Sequence, residues 1–310
     1  MTTDPYDVII ICGGAAGLSA GLVLARAQAS VLLIDGGQPR NAPANEMHGF
    51  ISRDGMSPAC FLASGRDEVT GYGGIIRAAS VASTDRGADG SFAVTLTDGT
   101  VERSRALLIA TGLTDELPLI PGVRDRWGTL VHHCPYCHGF EVLGKQILVL
   151  GGPARELSLK QAGLLRSFSD RVTFVTNDIQ LTDLERNRLD ALGVRVQEGA
   201  VSHIVGQPGS LDGIQLTDGT VLDAEAVFIA PRQRPNDALL RTLGCDIDAA
   251  TSLIAVDQFG QTSVPGVWAA GNVVTPTAQV ITAACAASAS AIAINGWLLE
   301  RKISNVTAQN

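Results

Sequence analysis

The stretch "DVIIICGGAAGLSAGLVLARAQASVLLID", residues 7–35, determines the fold prediction. Its first run, "DVIII" (7–11), is continuous and rich in β-branched residues, as in strands buried within a parallel sheet. "CGGAAG" (12–17) follows as a turn, "LSAGLVLARAQA" (18–29) as a helix of small residues, and "SVLLID" (30–35) as a second strand. This order predicts the βαβ opening of a nucleotide-binding α/β domain.

The turn in this unit nearly matches the dinucleotide pattern G-x-G-x-x-G, in which glycines let the backbone approach a pyrophosphate at a helix N-terminus. Gly14 and Gly17 hold the second and third glycine positions, whereas Cys12 stands at the first. Asp35 ends the next strand, where a carboxylate accepts hydrogen bonds from ribose hydroxyls. The alternative is a tight βα turn that binds no ligand. The carboxylate of Asp35, at the end of the strand that follows this turn, favours dinucleotide binding instead.

A second strand-turn-helix-strand unit covers residues 145–178, and its turn, "GGPARE" (151–156), is degraded. Pro153 removes an amide donor where the middle glycine belongs. Glu156 places a carboxylate in the first helical turn, where it competes with a phosphate. "VTND" (175–178) offers no arginine for a 2′-phosphate. We interpret this unit as the structural remnant of a nucleotide domain; an NADPH site is the alternative.

The pentapeptide "LTDGT" occurs twice, at 96–100 and 216–220, which together with the two βαβ openings indicates two similar halves. The sequence therefore predicts an α/β fold of two Rossmann-like nucleotide-binding domains, the second inserted into the first. We expect one domain to comprise residues 1–115 and 236–310, and the inserted domain residues 116–235.

The charge balance excludes several classes of partner. Lys and Arg number 23 against 31 Asp and Glu, a net charge of −8, and no basic run is present. Nucleic acids and anionic membranes require clustered basic residues, so neither is expected as a partner. Residues 280–299 carry no charge over a membrane-spanning length, but they are dominated by Ala, Ser and Thr and predict a packed soluble helix.

Four of the six cysteines, Cys12, Cys60, Cys245 and Cys285, are solitary in the sequence, and we expect them to be free buried thiols. Six cysteines in 310 residues are too few for a disulfide scaffold, and the N-terminus lacks the basic region of a secretory signal. A cytoplasmic location follows.

The segment "HHCPYCHGFE" (132–141) contains two cysteines and three of the five histidines. A zinc site needs a second ligand pair far along the chain, and five contiguous ligands cannot enclose one ion tetrahedrally, so no metal is predicted. Cys134 and Cys137 have the spacing of a redox dithiol, whose thiolate pKa a following helix N-terminus would lower.

Histidine is the side chain that exchanges protons near neutral pH, so His138, directly after Cys137, is the candidate acid–base residue. His132 and His133 are interpreted as strand or loop residues. His48, in "EMHGF", either lines the cofactor or is a surface loop histidine.

These motifs resemble the low-molecular-weight thioredoxin reductases over essentially the whole chain. The similarity is carried by "IICGGAAGLSAG" (10–21), "LLIATG" (107–112), the CxxC, "VPGVWAAGN" (264–272) and "AQVITAA" (278–284). The resemblance implies an FAD domain split by an inserted pyridine-nucleotide domain that carries the dithiol, and a homodimer.

By motif match the resemblance also implies an FAD site. Its turn around Gly14 would hold the pyrophosphate and Asp35 the adenosine ribose, while Gln279 and Val280 would lie near the flavin ring. Asn272 replaces the Asp that is usual in the family. The complete predicted set is Gly13, Gly14, Ala15, Ala16, Gly17, Asp35, Gly36, Arg40, His48, Val81, Ala110, Thr111, Gly112, Gly271, Asn272, Gln279 and Val280.

Two departures from thioredoxin reductases separate the chain from them: the degraded second glycine turn, and a His instead of Asp after the second cysteine. "CPYCHGFE" (134–141) with such a turn is similar to FAD-dependent dithiol oxidases of this fold, which close disulfides in dithiolopyrrolone, epipolythiodioxopiperazine and depsipeptide natural products.

That resemblance implies that the chain oxidises a small dithiol to an intramolecular disulfide and reduces O2 to H2O2. Cys134 would be the sulfur that substrate attacks, Cys137 the sulfur facing the flavin, and His138 the acid–base residue. Two alternatives remain: an NADPH-dependent disulfide reductase with an atypical nucleotide site or another electron carrier, and a non-catalytic flavoprotein redox sensor.

Overall fold

The computed structural model describes residues 4–307. Its seven helices within that range are α1 Ala15–Arg26, α2 Pro58–Gly71, α3 Pro135–His138, α4 Arg155–Leu165, α5 Asp183–Ala191, α6 Ala238–Thr242 and α7 Val280–Thr307. Its strands are β1 Tyr6–Ile11, β2 Val31–Asp35, β3 Ile75–Ala78, β4 Val81–Arg86, β5 Phe92–Leu96, β6 Val101–Ile109, β7 Leu113–Glu116, β8 Val131–His132, β9 Ile147–Leu150, β10 Val172–Val175, β11 Arg195–Gln197, β12 Val201–Val205, β13 Gly213–Leu216, β14 Val221–Asp223, β15 Ala226–Ile229, β16 Arg232–Pro235 and β17 Val267–Ala269. Short 3₁₀ helices cover Arg124–Arg126, Phe140–Val142 and Gly271–Val273.

The chain divides into two compact units. The first contains the residues up to Ala42, then Pro58–Thr114, and the residues from Pro235 onward. The second contains Pro43–Ser57 and Asp115–Arg234. The segment 43–57 therefore clusters with the second unit although its neighbours along the chain belong to the first.

The first unit is built on a seven-stranded sheet with the order β3-β2-β1-β6-β5-β4, in which β17 also pairs with β6. β1 lies parallel to β2 and β6, whereas β5 runs antiparallel to β6. Val8 and Ile10 pack into one core cluster, and Ile9 and Ile11 into another. The central strand is thus buried on both faces, which explains its continuous apolar run.

The second unit has a five-stranded parallel sheet, β11-β10-β9-β15-β8, and a three-stranded antiparallel sheet, β12-β13-β14. β7 and β16 pair where the chain passes between the units. The run at 221–231 contains two strands, because β14 ends at Asp223 and β15 begins in the other sheet at Ala226. The predicted α/β architecture of Rossmann-like sheets is confirmed.

Helix α7 is the one helix within residues 4–307 that is long and apolar enough to cross a membrane by length and composition. Its residues Ala283, Ala287, Ala291 and Ile294 are buried in the core of the first unit. The same core cluster contains residues of α1 such as Leu24. One face of α7 therefore packs as a helix of a globular core.

The expectation of free buried thiols is correct on one count and wrong on another. None of the four solitary cysteines forms a disulfide within residues 4–307, but Cys60 and Cys285 are exposed, whereas Cys245 is buried and Cys12 is half-buried. Cys60 lies on α2 and Cys285 on α7, two helices whose outer faces meet solvent. The sequence alone therefore did not show whether each cysteine lies on the buried or on the exposed face of its helix.

Candidate functional site

The first βα turn leaves the N-terminus of α1 open. Gly14 is the N-cap residue of α1 and provides no side-chain cap, and a Cβ built on Gly14 would meet no atom within 4 Å. A Cβ on Gly17 would overlap the Cys12 carbonyl oxygen, and one on Gly13 would overlap the Asp35 carboxylate. Uncapped amides with open space before them form an anion site, so the turn fits a dinucleotide pyrophosphate.

Cys12, at the first glycine position, adopts a φ of 91°. Glycine occupies this region freely, whereas a side chain is strained there. Burial raises the pKa of the Cys12 thiol, although the amides of Gly14 and Gly13 hydrogen-bond its sulfur and lower the pKa in part. The sulfur therefore lies beside the amides of the turn that would face an anion.

Asp35 lies at the end of β2 in the position expected for a ribose ligand. The Arg66 guanidinium donates to its Oδ2 at 2.8 Å, and the Gly37 amide donates to its Oδ1 at 2.9 Å. Burial raises the pKa of Asp35, but these donors outweigh it and hold the pKa below its ordinary value. The carboxylate is charged at neutral pH, with its position set by Arg66, a helix residue that no sequence motif identifies.

Asn272 uses its side chain to hold the backbone before α7. Its Nδ2 donates to the carbonyl oxygens of Thr275, Pro276 and Ala278 at 3.2, 3.1 and 2.9 Å. An Asp at this position could accept but not donate these bonds. The turn leads directly to Gln279 and to Val280, the first residue of α7.

The remaining predicted cofactor residues are distributed over both units. Thr111 donates to the Asn236 carbonyl oxygen at 2.7 Å, and Gly112 has a φ of 67°. Those of the first unit are Ala15 and Ala16 on α1, Gly36 after β2, Arg40, Val81 at the start of β4, Ala110 after β6, and Gly271 with a φ of 80°. His48 instead belongs to the second unit.

Polar side chains of the second βα turn and of the loop after β10 bond to other residues of the second unit. Arg155 is the one basic residue of "GGPARE", and its Nε donates to Glu185 Oε1 at 2.8 Å while its Nη2 donates to the Gln180 carbonyl oxygen at 2.7 Å. The Arg155 hydrogen bond lowers the pKa of Glu185 to about 2, with the Thr182 cap adding to it. Asn177 bridges the Gly151 carbonyl oxygen and the Val201 amide at 2.9 and 3.0 Å.

Cys134 and Cys137 form a disulfide in the second unit, with their Cα atoms 5.2 Å apart. Cys134 is the N-cap residue of α3, and Pro135 occupies the first position of that helix. α3 is a single turn, so the expected effect of a helix N-terminus on the thiolate is small. The short turn with Pro135 at its first position brings the two cysteines close enough for the disulfide, whereas a helix dipole contributes little to their chemistry.

The two histidines flanking the disulfide stack on each other. The ring centroids of His132 and His138 are 4.3 Å apart, and His132 also lies against Phe228. Burial lowers the pKa of His132 to about 3, and its Nδ1 has no hydrogen-bond partner among residues 4–307. His132 is therefore neutral. His133 instead stacks on Trp127, with centroids 5.6 Å apart.

The pKa of His138 is set by its burial and by two neighbouring side chains. Burial lowers its pKa below the ordinary value, while the Glu141 carboxylate raises it and the charge of His48 lowers it. His48 Nε2 lies 3.4 Å from Glu141 Oε1. Sequence reasoning did not identify Glu141, although its place three residues after His138 in the helical segment was a usable signal.

No group of three or more His, Cys, Asp or Glu side chains in the described part of the chain could hold a metal ion. The arrangement is therefore a disulfide with histidines and a carboxylate around it, in one unit, and an open dinucleotide turn in the other.

The profile of the family described as pyridine nucleotide-disulphide oxidoreductase matches residues 6–291. Thioredoxin reductase sirT from Leptosphaeria maculans is 32% identical over 301 residues, covering 91% of this chain and 92% of that protein. Thioredoxin reductase aclD from Aspergillus oryzae is 31% identical, covering 88% of this chain and 90% of that protein.

Solved structures are similar over the full length. HlmI is 44% identical with a TM-score of 0.96, covering 100% of this chain and 97% of that one. An oxidoreductase from Agrobacterium tumefaciens is 34% identical with a TM-score of 0.88, covering 96% of this chain and 99% of that one. The predicted thioredoxin reductase-like family and its FAD cofactor are confirmed.

Proposed function

The chain belongs to the pyridine nucleotide-disulphide oxidoreductase family of FAD-binding oxidoreductases, and from that premise we propose that it is a dithiol oxidase. Its substrate is a small dithiol, of the kind found in natural products, in which it forms an intramolecular disulfide. Cys134–Cys137 is the redox disulfide, and O2 is reduced to H2O2.

The observation that carries this proposal is the state of the second βα turn. A reductase of this fold takes electrons from NADPH, which needs an open glycine turn and a cation for its 2′-phosphate. Here Arg155 is paired with Glu185, and Asn177 holds the loop that follows β10. Because the turn offers no free cation in "GGPARE" or "TND", the electrons enter through the cysteine pair.

The cysteine pair performs the first half of the reaction. His138 takes the proton of one substrate thiol, and the thiolate attacks Cys134 Sγ, which breaks the disulfide and leaves Cys137 as a thiolate. The second substrate thiol then gives up its proton and attacks the substrate sulfur of the mixed disulfide. The cyclic disulfide leaves, and both electrons remain on Cys134 and Cys137.

When bound, FAD would supply the two-electron acceptor for the reduced cysteine pair and the group that reduces O2. Gly13, Gly14 and Gly17 would shape the pyrophosphate turn, and Asp35 would accept from the ribose. Asn272 holds the backbone that leads to the flavin-facing residues Gln279 and Val280. The sum is dithiol + O2 → disulfide + H2O2.

A second candidate function, NADPH-dependent disulfide reduction, is favoured by one finding: the relatives sirT and aclD are named thioredoxin reductases. The two functions differ in the direction of electron flow. One anaerobic experiment separates them, in which the FAD-loaded protein is mixed with dithiothreitol and, separately, with NADPH while flavin absorbance is recorded.

We expect dithiothreitol to bleach the flavin and NADPH to leave it oxidised, with recovery and peroxide on admitting air. Rapid bleaching by NADPH overturns the oxidase proposal, and bleaching by neither favours the redox sensor. Cys137→Ser abolishes bleaching by dithiol. Arg155→Ala is the matched control, since a residue paired with Glu185 and not with NADPH can be lost without slowing the dithiol reaction.

We place this reaction in the cytoplasm and in a homodimer, as the resemblance to thioredoxin reductases implies. Size-exclusion chromatography with light scattering tests the dimer, and a monomeric mass for the active protein contradicts it.

A further inference from the structure

The redox disulfide follows directly on a short strand at the edge of a sheet. β8 is the last strand of the five-stranded sheet, and it pairs with β15 through Val131 and His132. The chain leaves the sheet at His133, and Cys134 is the N-cap residue of α3. A two-residue strand contributes few ladder hydrogen bonds, so on its own it holds the backbone before Cys134 weakly.

The side chain of Gln161 extends that hold by one residue. Gln161 lies on α4 and is 2% exposed. Its Nε2 donates to the His133 carbonyl oxygen at 2.6 Å and to the Ile229 carbonyl oxygen at 3.2 Å. Ile229 follows Phe228, the residue paired with His132 in the ladder. Because both partners are carbonyl oxygens, the NH2 group of the amide must face them. One amide therefore joins β8 and β15 immediately beyond their last pair.

The other end of the disulfide segment packs on the loop after α4. A Cβ built on Gly139 would lie 2.6 Å from the Phe168 ring and 2.5 Å from the Pro135 carbonyl oxygen. The Gly139 amide donates to that same oxygen at 2.7 Å. The glycine therefore lets the end of the turn approach Phe168 closely. α4 and the loop that follows it thus contact both ends of the segment that contains the disulfide.

These contacts matter because α3 is a single turn. Its own backbone bonds run from the Cys137 and His138 amides to the Cys134 carbonyl oxygen, each at 3.1 Å. One helical turn does not persist unless the surrounding structure holds it. In the reduced protein, the two thiols therefore stay close to each other only while the ends of the turn are held. Their effective concentration towards each other depends on that hold.

We propose that Gln161 is a positioning residue for the redox disulfide. By holding the His133 carbonyl oxygen it keeps Cys134 close to Cys137 and favours the disulfide over the dithiol. The inference rests on the proposed function, in which Cys134–Cys137 is the redox pair. With glutathione as reductant the balance is protein disulfide + 2 glutathione ⇌ protein dithiol + glutathione disulfide. Gln161 shifts this equilibrium through the backbone and takes no part in the bonds that form and break.

The test uses Gln161→Met and Gln161→Asn. Methionine keeps the length of the side chain but has no N–H, and asparagine keeps the amide but is one methylene too short to reach both carbonyl oxygens. Ser158→Ala is the control on the same helix, since Ser158 is buried and its Oγ donates to the Arg155 carbonyl oxygen at 2.8 Å. Gln215→Met is the control for the substitution, since Gln215 Nε2 donates to the Gly219 carbonyl oxygen at 3.3 Å in the three-stranded sheet.

Each FAD-loaded protein is equilibrated without oxygen in a series of glutathione redox buffers at one pH and then alkylated. Mass spectrometry of the peptide that contains both cysteines gives the ratio of dithiol to disulfide. Hydrogen exchange is followed in the peptides that cover residues 131–139. Thermal unfolding and flavin content record any general loss of stability.

We expect the equilibrium constant for reduction of the disulfide to rise about fivefold in both Gln161 variants, the factor that the loss of one hydrogen bond produces. Hydrogen exchange of residues 131–139 should be faster in the same two proteins. Both controls should keep the wild-type equilibrium, whatever their melting temperatures. A wild-type equilibrium in a Gln161 variant that binds FAD, or an equal rise in Ser158→Ala, overturns the inference. Either Gln161 variant decides alone if the other does not fold.

The two proposals fail separately. If glutathione reduces the wild-type disulfide but dithiothreitol leaves the flavin oxidised, the proposed function is wrong, while the equilibrium still tests Gln161. If dithiothreitol bleaches the wild-type flavin and the Gln161 variants keep the wild-type equilibrium, the role of Gln161 is wrong and the dithiol chemistry stands.

Discussion

Replacing Cys12 with Gly should make the protein more stable and its hold on FAD tighter. Cys12 adopts a φ of 91°, in the left-handed region where a side chain costs about 1–2 kcal/mol. Its sulfur also lies beside the amides of Gly13 and Gly14, which belong to the pyrophosphate turn and lower the pKa of the Cys12 thiol. Glycine removes both the strain and the competing sulfur.

The size of each effect follows from these contacts. Glycine also adds backbone entropy to the unfolded chain, which costs about 0.5–1 kcal/mol. The net gain in the free energy of unfolding is therefore about 0.5–1 kcal/mol. That raises the Tm by about 2 °C in a protein of this size. Freeing the turn amides strengthens FAD binding by about 1 kcal/mol, roughly a fivefold lower Kd.

The gain in stability is measured by thermal unfolding at one fixed FAD concentration, and the tighter FAD binding by titration of flavin fluorescence. The variant Cys12→Ala separates the two effects. Alanine lacks the sulfur but keeps the strained backbone, so it should tighten FAD binding without the gain from relieved strain. A Cys12→Gly protein that melts no higher than Cys12→Ala refutes the strain argument. An unchanged Kd in both variants refutes the competition by sulfur.

Three further predictions address other parts of the fold. Asn272→Ala should weaken FAD retention, measured by equilibrium dialysis, because the carbonyl oxygens before α7 lose their donor; unchanged retention contradicts this. Arg126→Met should lower the free energy of unfolding, measured by urea denaturation, by about 3 kcal/mol or more, because the buried guanidinium donates to the carbonyl oxygens of Gly122, Gly206, Gln207 and Ser210. His132→Phe should reduce the loss of stability on acidification. The pKa of His132 is about 3 in the fold, whereas an unperturbed histidine has a pKa of about 6.5. Between these values only the unfolded state binds the proton, so the free energy of unfolding falls as pH falls through that window. If the free energy of unfolding falls by the same amount in the wild type and in His132→Phe between pH 7 and about pH 4.5, this prediction is wrong.

The first βα unit could be predicted because its information is local. The apolar run of β1, the glycine turn and the carboxylate of Asp35 lie within 29 residues. In that order they indicate a nucleotide-binding βαβ unit. The spacing of Cys134 and Cys137 is equally local, since two sulfurs in one helical turn can reach each other. The same reasoning identified the Pro153 defect in the second turn.

The contacts that complete the candidate site are long-range, and no local pattern contains them. Arg66 reaches Asp35 from α2, and Arg155 pairs with Glu185 of α5. The segment 43–57 joins the second unit, which brings His48 to Glu141. The break between β14 and β15 also has no local signal, because "VLDAEAVFIAP" (221–231) has no glycine or proline at the point where the chain changes sheets.

The most direct test of the central proposal is the stoichiometry of turnover in air without NADPH. A small dithiol is supplied to the FAD-loaded protein, and O2 consumption, H2O2 and thiol loss are measured together. We predict one O2 consumed and one H2O2 formed for each disulfide, abolished in Cys137→Ser. Thiol loss without O2 consumption, or turnover that begins only when NADPH is added, contradicts the proposal.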